Sequence, residues 1–67
     1  MAQVTVNGAA RDLRDGLNVR EILAQLDIVP RLVVVELNGV VVYPERWNET
    51  IVNDGDRIEI VSFVGGG

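Results

Sequence analysis

Two Asn-Gly dipeptides, Asn7-Gly8 and Asn38-Gly39, each follow a short run rich in valine. Both central positions of a type I′ turn need positive φ, which Asn tolerates and Gly adopts freely, so the pair predicts two tight hairpins. The first joins a strand over Gln3–Asn7, with Val4 and Val6 on one face, to a return strand over Ala9–Leu13 that ends at Asp15-Gly16. The second joins Leu32–Leu37 to Val40–Tyr43. Leu32–Leu37 is apolar on nearly both faces, so it is expected inside a sheet.

One helix fits between the hairpins. Asn18 suits its N-cap, and Glu21 follows three residues later, as in a capping box with Asn in place of Ser or Thr. Val19, Ile22, Leu23 and Leu26 then fall at i, i+3, i+4 and i+7, a single apolar stripe, and Pro30 marks the exit. Pro44–Thr50 reads as a loop or a short helical turn, and Ile51-Val52 as a brief strand extension. Asn53-Asp54-Gly55 is a turn into a last strand over Arg57–Val64. A right-handed crossover puts the helix on one face of the sheet. The expected fold is α+β of the β-grasp type: a mixed sheet of four to five strands covered by one helix, over residues 1–64. Residues 65–67 are expected to form a flexible glycine tail.

A chain of 67 residues is one small domain that must bury most of its apolar residues, and 48% of this one is hydrophobic. Cys and His are absent, so there is no disulfide, no thiolate zinc site, and no side chain whose ordinary pKa lies near neutrality. All six cations are arginines, and the net charge is −4 without a basic cluster. This balance makes nucleic acid a poor partner and suits a protein with a positive docking face. No segment has the pattern of a membrane span or a secretory signal, so the expected location is cytoplasmic.

The functional expectation rests on the last strand and the glycines after it. Ile58 and Ile60 alternate with Arg57 and Glu59, so the isoleucines should face the core. Continuing the phase puts Ser62 and Val64 on the core side, and Val61 and Phe63 on the polar face. Those two are either core residues displaced by a bulge or an exposed docking patch; the patch is the favoured reading. The three final glycines, Gly65, Gly66 and Gly67, serve no packing purpose and suggest a thin arm ending in a free carboxylate. Other features have plainer readings. Asn7-Gly8, Asn38-Gly39 and Asp54-Gly55 read as turns, Tyr43 and Trp47 as rim or core anchors, and Glu36, Glu59 and Arg57 as solvated strand residues. Ser62 has no base near it.

Several segments together resemble a known family: the β-grasp order, Val-Glu-Leu-Asn-Gly at 35–39, the turn Asp54-Gly55-Asp56, and the ending Val-Ser-Phe-Val-Gly-Gly-Gly at 61–67. They look like the ThiS family, the small ubiquitin-like sulfur carriers of thiamine biosynthesis. The resemblance implies a protein that is not an enzyme but a co-substrate. A ThiF-type adenylyltransferase would use ATP and Mg²⁺ to adenylate the Gly67 carboxylate. A cysteine desulfurase or another sulfur donor system would convert it to a thiocarboxylate, and thiazole synthase (ThiG) would accept the sulfur. The chain itself would bind no cofactor. Gly65 and Gly66 would thread the partner's channel, and Val61, Phe63 and Val64 would dock. A molybdopterin-synthase small subunit and a ubiquitin-like protein modifier are the alternatives.

Overall fold

Asn7 (φ 50°) and Gly8 (φ 86°) fold β1, Ala2–Val6, back onto β2, Ala9–Leu13, in a computed structural model that describes residues 1–62. Asn38 (φ 52°) and Gly39 (φ 86°) do the same between β3, Val33–Leu37, and β4, Val40–Val42. Both hairpins are therefore placed by local backbone chemistry, before any long-range contact is considered.

Helix α1, Val19–Gln25, is held at its start by the full capping box. The Glu21 amide donates to Asn18 Oδ1 at 2.8 Å, and the Asn18 amide donates to Glu21 Oε1 at 2.9 Å. Val19, Ile22 and Leu23 are buried, and Leu26 packs half-buried beside them.

The five strands form one mixed sheet in the order β2-β1-β5-β3-β4, with β5, Arg57–Ser62, at its centre. β5 runs parallel to β1 and antiparallel to β3, while both hairpins are antiparallel. This is the β-grasp arrangement expected. One face of the sheet supplies Val4, Val6, Val35, Ile58 and Ile60 to a core closed by α1 and Trp47. Trp47 lies on a 3-10 helix, Pro44–Glu49, and is 1% exposed. Its Nε1 donates to the Val42 carbonyl at 2.8 Å, so the indole is buried with its polar atom satisfied. The Arg20 guanidinium lies 5.3 Å from the ring centroid and covers it from solvent.

Several elements differ from the sequence expectation. Pro30 opens a 3-10 turn, Pro30–Leu32, so β3 starts at Val33 and Leu32 is exposed. β4 ends at Val42 because Tyr43 caps the next 3-10 helix and is exposed at the rim. Ile51-Val52 is no strand. It makes a single bridge, Asn18 to Ile51, flanked by bonds from the Val19 amide to the Thr50 carbonyl and from the Val52 amide to the Leu17 carbonyl. That ladder cannot continue, because Asn18 is already the helix cap. Ser62, in phase with Ile58 and Ile60, is exposed although its ladder partner Val33 is buried.

Candidate functional site

The candidate site is the C-terminal half of β5 together with the sheet face that α1 leaves open. Three local devices position β5. At its start, the turn Asn53–Asp56 is tied to β1: the Gln3 amide donates to Asp54 Oδ1 at 2.7 Å, and the Gly55 amide to the Gln3 carbonyl at 2.8 Å. Asp56 Oδ2 accepts from the Asn53 amide at 2.8 Å and closes the turn. Asn38 then clips the first residue of the strand. Its amide donates to the Arg57 carbonyl at 2.7 Å, its Oδ1 accepts from the Arg57 amide at 2.9 Å, and its Nδ2 donates to Asp56 Oδ1 at 3.1 Å. Near the exit, Asn7 Oδ1 accepts from the Ile60 amide at 2.7 Å, and Asn7 Nδ2 donates to the Ile60 carbonyl at 3.1 Å.

The open face results from the register. Ile58 and Ile60 point to the core, so Arg57, Glu59 and Val61 point outward. Val61 is paired with Val34 and Glu59 with Glu36, while Glu36 is paired in turn with Val41. Val61 is 56% exposed and Val41 39%, and Val34 is half-buried between them. The result is an uncovered apolar strip beside two carboxylates that face each other across the ladder. Like charges directly opposite in a sheet oppose pairing. The ion pairs among the described residues are Met1 with Asp15 and Arg46 with Glu49, so neither Glu36 nor Glu59 is neutralised within them. The hydrogen bond from Arg46 to Glu49 raises the arginine's pKa above its ordinary value, but Arg46 is fully exposed on the 3-10 helix and takes no part in this face.

Of the residues singled out from sequence, Val61 is exposed on the open face and clear of the core. Phe63, Val64, Gly65, Gly66 and Gly67 lie outside the described residues. Glu59 is solvated as expected, whereas Glu36 is half-buried in β3. Trp47 is a core anchor and Tyr43 a rim residue. Among the described residues there is no buried polar or charged side chain and no cluster of acidic residues that could hold a metal ion. No helix of this structure is long and apolar enough to cross a membrane. Sequence reasoning missed Asn7 as more than a turn residue. The available signal was Asn where Asp or Gly would also turn the chain: only the amide offers both a donor and an acceptor.

The comparisons agree with this geometry. The ThiS family model matches residues 4–67. The chain is 39% identical over 54 residues to the sulfur carrier protein ThiS of Bacillus subtilis, covering 81% of this chain and 82% of that one. It is 37% identical over 65 residues to a thiazole synthase of Paramagnetospirillum magneticum; the match takes in 97% of this chain but only 20% of that protein's length. Among solved structures, the thiamine biosynthesis protein ThiS of Geobacter metallireducens superposes with a TM-score of 0.85 at 41% identity, covering 97% of this chain and 99% of that one.

Proposed function

The chain belongs to the ThiS family, and from that premise we propose that it is a cytoplasmic sulfur carrier of thiamine biosynthesis that bears its sulfur as a thiocarboxylate on Gly67. The observation that carries this reading is the extent of the family match, which spans residues 4–67 and includes Gly65, Gly66 and Gly67. The carrier is consumed and regenerated, and it catalyses nothing itself.

The chemistry explains why such a chain needs partners. A carboxylate is a poor acyl donor because its leaving group would be oxide. In the proposed cycle one Gly67 oxygen attacks the α-phosphorus of ATP on a ThiF-type enzyme, and pyrophosphate departs with Mg²⁺ assisting. A persulfide delivered by a cysteine desulfurase, or sulfide from an equivalent donor, then attacks the acyl carbon and expels AMP. Where the attacker is a persulfide, a second thiol cleaves the resulting acyl disulfide and departs with the donor's sulfur in a new disulfide. The thiocarboxylate that remains is more acidic than a carboxylic acid and a better nucleophile, so it is ionised and reactive at neutral pH. Thiazole synthase accepts the sulfur. That partner is supported by the thiazole synthase whose own sequence includes a segment similar to this whole chain.

The residues fit these roles. Gly65 and Gly66 have no Cβ, so this part of the chain can enter a narrow channel and present its terminal carbon from any side. Val61, with Phe63 and Val64 after it, would dock against the partner, and Glu36 and Glu59, which form no ion pair among the described residues, would favour a partner surface carrying cations. The absence of Cys removes a thiol that could capture the activated terminus. Residues 1–64 would then be the body and 65–67 the working arm.

The test is intact mass spectrometry after incubation with the matched activating enzyme, ATP, Mg²⁺ and a sulfur donor. The chain should gain the mass difference between sulfur and oxygen, with one AMP released per carrier. An unchanged mass, under conditions where the same enzyme loads a known ThiS, would refute the reading.

A further inference from the structure

Asn7 does something that a turn does not require. Between β1 and β5 the parallel ladder runs Thr5 amide to Asp56 carbonyl at 3.0 Å, then Asn7 amide to Ile58 carbonyl at 3.0 Å. In a continuing parallel pair, the next two rungs would join the Ile60 amide to the Asn7 carbonyl, and an amide two residues further along β1 to the Ile60 carbonyl. Both are lost, because at Asn7 the chain enters the left-handed region and turns away toward β2. The side-chain amide of Asn7 supplies them instead: Oδ1 takes the Ile60 amide at 2.7 Å and Nδ2 gives to the Ile60 carbonyl at 3.1 Å. A primary amide has the same donor and acceptor groups as a peptide unit, so β5 is held as though β1 ran one unit longer. Beyond this clip, the next residue whose main chain faces the β1 side is Ser62, five residues before Gly67.

We propose that Asn7 is a positioning residue for the carboxyl terminus: β3 holds one edge of β5 as far as Ser62, the Asn7 amide holds the other edge at Ile60, and that second hold sets where Gly67 arrives in the activating site. This rests on the carrier reading above. Asn38 provides an internal comparison. It performs a similar substitution, its Oδ1 taking the Arg57 amide, but at the entry of β5 and not at the exit. Both turns tolerate glycine, because both asparagines have positive φ. Replacing either by glycine therefore removes a clip without straining a turn.

The experiment compares Asn7→Gly and Asn38→Gly as substrates of the matched ThiF-type enzyme, following pyrophosphate release against carrier concentration, with amide exchange and thermal melting on the free proteins. In Asn7→Gly the Ile60 amide should lose protection, and kcat should fall about ten- to a hundredfold with KM within about twofold of the parent, the split expected when docking survives and the reacting group is misplaced. Asn38→Gly should melt lower by a similar amount and keep the parent kcat. Asn7→Asp, which keeps the turn and the acceptor but loses the donor, should fall between, and it provides the same readout if Asn7→Gly does not fold. A parent-like kcat in the Asn7 variants, equal losses of kcat in the Asn7 and Asn38 variants, or an Ile60 amide still protected in Asn7→Gly would each overturn the positioning role. An unmodified chain that the enzyme does not activate at all would refute the carrier reading, and this role with it.

Discussion

The two faces of the central strands are built from the same type of residue and have opposite fates. On one face, Val35, Ile58 and Ile60 are sealed under α1 and Trp47. On the other, Val34, Val41 and Val61 share the surface with Glu36 and Glu59, and no element of the described chain covers them. The first face is what a small domain needs in order to fold. The second costs stability, because it leaves apolar area in water and sets two carboxylates opposite each other. That difference separates the residues that make the body from those available to a partner.

The largest effect should come from the covered face. Ile58→Ala removes a fully buried side chain from the centre of the sheet and should lower stability by about 2–5 kcal/mol, read as the shift in urea midpoint. A loss well below 1 kcal/mol would mean the two faces differ less than their burial suggests. Val61→Asp should do the reverse. It should leave stability within about 0.5 kcal/mol of the parent, yet weaken binding to thiazole synthase or the activating enzyme by about tenfold, or ~1.4 kcal/mol. Titration calorimetry and thermal melting on one preparation separate the two quantities. The same pair of measurements places Phe63: Phe63→Asp should behave like Val61→Asp, and a large fall in melting temperature would assign Phe63 to the core. The smallest effect is Glu59→Gln. It relieves the repulsion from Glu36 and should stabilise the free protein by about 0.3 kcal/mol, while slowing association at low salt. Unchanged association rates would remove the carboxylates from the docking surface.

The covered face could be read from the sequence because its signals are local or periodic. The capping box needs only Asn18 and Glu21, the hairpins need only Asn-Gly, and the stripe of α1 and the alternation of β5 are counts along the chain. What could not be read depends on residues far apart in sequence. The burial of Trp47 is set by Val42 and Arg20 together, and Ile51-Val52 fails as a strand because its partner segment turns into the helix cap. The Asn7 clip joins positions 53 residues apart. The exposure of Ser62 beside the buried Val33 is likewise something alternation alone does not encode. At the candidate site the periodicity pointed Val61 outward, but nothing in it distinguished a β1-side edge left unpaired after Asn7 from one clipped at Ile60.

The central claim is that the body presents and the terminus reacts. The most direct test sets the full chain beside a version lacking Gly67, with the same activating enzyme, ATP, Mg²⁺ and sulfur donor, and reads intact mass together with thermal melting. The two proteins should melt alike, the full chain should gain the sulfur-for-oxygen mass difference, and the shortened one should gain nothing. A shortened chain that takes up sulfur as readily as the full one would contradict the claim.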